Sequence, residues 1–217
     1  MRALTPNPEK DPTLDFEREL WTLGAPVVIG LDEVGRGAVA GPVAVGAHAL
    51  LAGTDEIPAG LRDSKLLSEK RRALVAPLVA EWGVGAVGYV SAAEIDANGI
   101  TAALGEAARR ALLALHAQGV DVTQAAIILD GSQDWLTPVL KAPLNVRTRV
   151  GADRLCASVA AASVGAKVAR DQLMCEADEA HPEYAWASNK GYGSAAHYSG
   201  IAAHGLTELH RHTWIKS

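Results

Sequence analysis

The chain has 217 residues, 49% of them hydrophobic, which suffices for one sizeable domain with an appendage and a core that needs no covalent staples. Its two cysteines, Cys156 and Cys175, show no C-x-x-C spacing, which excludes a disulfide framework and a cysteine zinc site and predicts two buried thiols in a reducing compartment. A formal charge of -5 argues against a general nucleic-acid binder, although carboxylates gathered into one site would leave the remaining surface near neutral.

Residues 1–26 are charged and proline-containing, with no apolar stretch behind a basic start. They are expected to form a leader, either loose or folded into a short amphipathic helix on Leu14, Phe16, Leu20 and Trp21. No later apolar run approaches about 18 uncharged residues, so a cytoplasmic protein without membrane contact is expected. From Val27 the pattern changes. VVIGL predicts a buried strand ending at Asp32, and GPVAVGAHALL a second, reached through a glycine-rich turn. Ser68 can cap a helix over SEKRRALVAPLVAEW that Pro77 should kink or end.

A strand over 85–90 follows, then a capping box at Ser91 and Glu94, a turn at Asn98-Gly99 and a helix over TAALGEAARRALLALHAQG. AAIILD predicts a strand ending at Asp130, 144–149 a short strand, and 157–180 a long small-residue helix suited to close packing on a sheet. After Pro182 the chain is turn-rich, with a further helix from Ser194. This order predicts a mixed α/β sheet flanked by helices, divided into the leader (1–26), a main α/β domain (27–181) and a C-terminal helical segment (182–217).

Asp32 and Glu33 stand at a strand end before GRGAVAG. Alone, such a pair is more often a solvated turn. Asp130 also ends an apolar strand and would project from the same sheet edge if the two strands were neighbours. Asp153 precedes the long helix, where the helix dipole favours an acid even without function. Four carboxylates converging on one cleft would repel one another unless cations neutralised them, and oxygen-only donors suit Mg2+ or Mn2+.

VVIGLDEVGRGAVAGPVAVGA, LRDSKLLSEKRR, IILDGS, ADRLCASVAAASVGAKVARDQLM and NKGYGSAAHYSGIAAHGLTELHR together resemble the bacterial type 2 ribonucleases H, ribonuclease HII, over nearly everything from Val27 to Arg211. The resemblance implies the ribonuclease H-like fold with a C-terminal helical segment, and would make 27–181 the catalytic domain and 182–217 a substrate-binding segment. It implies a metal-dependent endonuclease that cuts the RNA strand of RNA–DNA hybrids and cuts 5′ of ribonucleotides embedded in duplex DNA. The reaction would be two-metal-ion hydrolysis leaving 3′-hydroxyl and 5′-phosphate ends.

By the same resemblance Asp32, Glu33, Asp130 and Asp153 are the metal-binding catalytic carboxylates. Gly35, Arg36 and Gly37 form the turn that recognises the 2′-hydroxyl side, and Tyr192 stacks on the nucleotide. Ser64, Lys65, Lys167 and Arg170 would contact phosphate, although Lys167 and Asp171 have i,i+4 spacing and can simply pair. The chain departs from the family in having Gly151 where a lysine is usual, so a positive charge is missing unless Arg149 or Arg154 supplies it, and Ser132 where asparagine is usual. His48 and His116 are expected inside elements, and the tail histidines His197, His204, His210 and His212 at the surface or against nucleic acid. A monomer is expected. Two alternatives stay open: a catalytically idle hybrid-binding protein, and another carboxylate nuclease of resolvase or integrase type.

Overall fold

The computed structural model describes residues 11–215. Five strands, β1 (Val27–Val34), β2 (Val43–Leu51), β3 (Val84–Val90), β4 (Ala126–Asp130) and β5 (Asn145–Arg149), form one sheet in the order β3-β2-β1-β4-β5. The first three pair antiparallel as a meander, and β1, β4 and β5 pair parallel. The mixed α/β architecture is the one expected from the element order.

Both faces of the central strands are covered, which is why VVIGLD is apolar almost throughout and not alternating. Val27, Ile29 and Leu31 face the side where α4 (Ile100–Ala117) buries Leu104, Ala108, Ala111 and Leu115. Val28 and Gly30 face the other side, against α6 (Ala157–Ala180). Close approach of α6 needs glycine here: a Cβ on Gly30 would come within 2.3 Å of the Ser158 carbonyl carbon, and one on Gly46 within 2.3 Å of the Ala162 carbonyl oxygen. Side-chain alternation therefore points Asp32 toward α6 as well.

Four expectations need correction. β1 does not end at Asp32 but runs to Val34, because β2 continues the backbone ladder to Val34↔Ala44. The helix α2 (Glu69–Trp82), capped by Ser68, does not end at Pro77; Val75 and Val79, on either side of the proline, are buried in the core it shares with α6. Cys175 is only partly buried, unlike Cys156. His197 and His210 are fully buried, not surface groups, and pack with Tyr184 and Trp186 in the C-terminal segment. Helix α1 (Asp15–Thr22) places Leu14 and Leu20 in the core, followed in order by α3 (Ala92–Asn98), α5 (Ala152–Leu155), α7 (Trp186–Asn189) and α8 (Ala195–His204). Among the described residues no helix is long and apolar enough to cross a membrane.

Candidate active site

β1 and β4 are parallel neighbours with Leu31 opposite Leu129, so the next residues, Asp32 and Asp130, emerge side by side at the carboxyl end of the sheet. Ligand sites in open α/β sheets form at such strand ends. Glu33 follows on β1. β5 leads directly into α5, which carries Asp153, and Asp130 Oδ1 accepts a 2.7 Å hydrogen bond from the Ala152 amide at the start of that helix. The structure thus brings Asp32, Glu33, Asp130 and Asp153 to one end of the sheet.

The electrostatics fit that crowding. Asp32 is 2% exposed, and burial, followed by the charge of Glu33 and then Asp130, pushes its carboxyl up to about 8. Burial also raises Glu33 and Asp130, with Asp153 adding to the rise of Asp130. Lys65 Nζ lies 3.1 Å from Asp153 Oδ2. Burial alone would lower its ammonium, but Asp32, Asp153 and Asp63 together hold it above the ordinary lysine range.

The remaining expected residues divide. The turn Gly35-Arg36-Gly37 abuts the cluster, with Arg36 3.8 Å from Glu33. Gly35 requires its positive φ of 79° and has no space for a Cβ, because Arg170 Nε would lie 2.1 Å away, whereas a Cβ on Gly37 would meet open space. Tyr192 is 40% exposed on the same side, brought there because Gly191 docks on the turn: its carbonyl accepts from the Val39 and Ala40 amides at 2.9 and 3.0 Å.

Two assignments to phosphate are corrected. Arg170 is fully buried and donates to the carbonyls of Pro42, Lys190 and Ala40, so it holds the glycine turn from beneath. Ser64 is buried, with its hydroxyl 2.8 Å from that of Ser163, a neighbour of Asp32. Lys167 pairs with Asp171 at 2.6 Å, the i,i+4 alternative. Of the two arginines that could replace the charge missing at Gly151, Arg149 lies over the Phe16 ring and Arg154 lies 3.6 Å from Asp63 Oδ2.

Sequence reasoning missed Arg211. It is fully buried and donates to the carbonyls of Gly35, Arg36 and Gly41, fastening the C-terminal segment to the turn. Its only local signal was its place at the end of the NKGYGS…HR block.

A match to the ribonuclease HII family model over residues 29–217 decides the family. The chain belongs to the ribonuclease HII family. It is 46% identical over 209 residues to the ribonuclease HII of Streptomyces avermitilis, covering 95% of this chain and 85% of that one. To the ribonuclease HII of Salinibacter ruber it is 42% identical over 202 residues, covering 93% and 97%. The fold matches the ribonuclease H2 of Pyrococcus horikoshii with a TM-score of 0.67 at 25% identity, over 87% of this chain and 93% of that one. It also matches Bst-RNase HIII in complex with Mn2+, with a TM-score of 0.67 at 24% identity, over 87% and 66%. As a ribonuclease HII, the protein is a metal-dependent endonuclease of the type 2 ribonuclease H class. A cavity of about 880 Å3 between Thr13, Leu14, Leu61 and Leu67 is lined by none of the four carboxylates and lies apart from this site.

Proposed function

We propose that this protein cleaves the RNA strand of RNA–DNA hybrids and cuts 5′ of ribonucleotides embedded in duplex DNA, leaving 3′-hydroxyl and 5′-phosphate ends. The observation that carries the reading is the emergence of Asp32 and Asp130 from adjacent parallel strands, with Glu33 and Asp153 beside them.

The donor set suits hard divalent ions. All four groups are carboxylates, and Asp32 Oδ1 is buried without a hydrogen-bond partner. Among the described residues no three acidic, histidine or cysteine side chains stand close enough to ligate one ion as they lie. Mg2+ does not need such a cage, because it binds through one or two carboxylates and fills its shell with waters and substrate phosphate. Asp32, Glu33, Asp130 and Asp153 would hold Mg2+ or Mn2+, which when bound would supply charge stabilisation to a phosphodiester undergoing in-line displacement.

The chain's own groups do the rest by positioning. Lys65 offers a cation to the phosphate side of the cluster. The open face of Gly37 lets main-chain groups approach a sugar, where a 2′-hydroxyl distinguishes RNA from DNA. Tyr192, exposed above the Arg170 guanidinium at 5.7 Å, offers its ring to a nucleotide. A reaction driven by positioning and charge stabilisation needs no histidine base, the 2′-hydroxyl serving recognition alone.

The test is a labelled DNA duplex carrying one ribonucleotide, incubated with protein in Mg2+, in Mn2+ and in chelator, beside an all-DNA duplex and Asp130→Asn. Metal-dependent cutting 5′ of the ribonucleotide, lost by about 10²–10³-fold in the variant as when one charge-stabilising group leaves an active site, is expected. Tight binding without cutting in either metal would replace this reading with that of a hybrid-binding protein.

A further inference from the structure

The leader grips the segment that carries Asp153 from both sides. On the far side, the Thr13 amide donates to the Leu155 carbonyl at 3.0 Å and the Ala157 amide donates to the Thr13 carbonyl at 2.9 Å, a parallel bridge to Cys156. In the first turn of α1, Glu17 is fully buried, and its Oε1 accepts from the Ser158 amide at 2.8 Å and the Ser158 hydroxyl at 2.7 Å. Ser158 lies in the first turn of α6, whose amides have no partner within the helix, and Cys156 at its N-cap makes no side-chain bond, so a carboxylate from 141 residues away serves as the cap. On the near side, the Phe16 ring lies 4.5 Å beneath the Arg149 guanidinium. Asp11 also pairs with Arg62 at 2.6 Å, tying the leader to the turn that presents Lys65.

We propose that Glu17 is a positioning residue: by capping α6 at Ser158, beside the backbone bridge of Thr13 to Cys156, it sets the place of the short helix α5, and with it Asp153 against Asp130 and Lys65. α5 is a single four-residue turn between β5 and α6, and Cys156, which ends it, is also the N-cap of α6. Burial raises the Glu17 carboxyl, which fits a group held for its acceptor oxygen in a dry setting. The inference rests on the role assigned above to Asp153. Displacements on the order of 1 Å at such a group cost about a hundredfold in rate.

The test compares Glu17→Ala, Glu17→Gln, Ser158→Ala and Phe16→Ala by two readouts. One is amide exchange over residues 150–158 in metal-free protein, and the other is kcat and KM on an RNA–DNA hybrid. Glu17→Ala is expected to speed exchange across this segment and to lower kcat by about ten- to a hundredfold with KM within about twofold. Glu17→Gln, which keeps an acceptor, recovers most of both. Phe16→Ala releases only the Arg149 side and is expected to cost less than Glu17→Ala, whereas Ser158→Ala removes one of the two bonds that Glu17 accepts, lowers kcat several-fold and decides the matter should Glu17→Ala not fold. Wild-type kcat in the folded alanine variants, or exchange that rises only within the leader, overturns the proposal. Absence of cleavage by the wild type would sink the functional reading instead, while the exchange comparison would still report whether the leader orders the Asp153 segment.

Discussion

Lys65 Nζ and Asp153 Oδ2 stand 3.1 Å apart and join the turn before α2 to the start of α5 across the mouth of the carboxylate cluster. One ammonium thus pairs with Asp153 while its charge also acts on Asp32, opposing part of the rise that burial causes there.

The pH response follows from Asp32, whose folded carboxyl is raised from 3.8 to about 8. A raised acid favours the folded state only while protonated, so its contribution is full below about 3.8 and is lost as pH rises toward about 8. In chelator, the melting temperature should therefore fall between about pH 5 and pH 8.5, and Asp32→Asn should flatten the slope. Divalent ions should restore most stability at the upper end, because they bind only the folded site. An unchanged slope in the variant would refute the assignment.

Buried and exposed cations should part company in salt titrations. Hybrid binding measured in chelator should lose about one unit of salt slope in Lys65→Ala, as for a phosphate contact removed. Arg170→Ala should keep the wild-type slope under folding conditions. It should instead lose stability, at about 1–3 kcal/mol for each carbonyl left without a donor, read by denaturant unfolding. A reduced slope in Arg170→Ala at full stability would restore it to the phosphate side.

The glycines of the turn separate fold from recognition. Gly35→Ala combines a left-handed backbone with a Cβ 2.1 Å from Arg170 Nε, and should destabilise by more than about 1–2 kcal/mol. Gly37→Ala meets open space and should stay within about 0.5 kcal/mol of wild type by thermal melting. Its effect should fall on discrimination between ribose-containing and all-DNA duplexes; unaltered discrimination would remove Gly37 from the recognition surface.

Strands and helices were legible where a local period or cap wrote them: the apolar runs at Val27 and Ala126, the Ser91 and Glu94 capping box, and the glycine that separates α3 from α4. Asp32 and Asp130 were legible as strand-end acids, but their adjacency came from the parallel pairing of β1 with β4, which no short-range pattern encodes. The helix over SEKRRALVAPLVAEW was legible in its cap and span, and only packing decided that it does not end at Pro77, because burial of Val75 and Val79 outweighs one absent backbone donor.

By itself, then, the sequence determined the family, the element order and the four acids, since hydrophobic period, turn chemistry and motif spacing are properties of neighbouring residues. Only the tertiary structure decided which polar groups work inside. Arg170 reaches a carbonyl 128 residues away, Arg211 one 176 residues away, and Glu17 an amide 141 residues away. A buried charge is tolerated only where such partners meet it, and chain segments that far apart are brought together by packing of the whole sheet against α6.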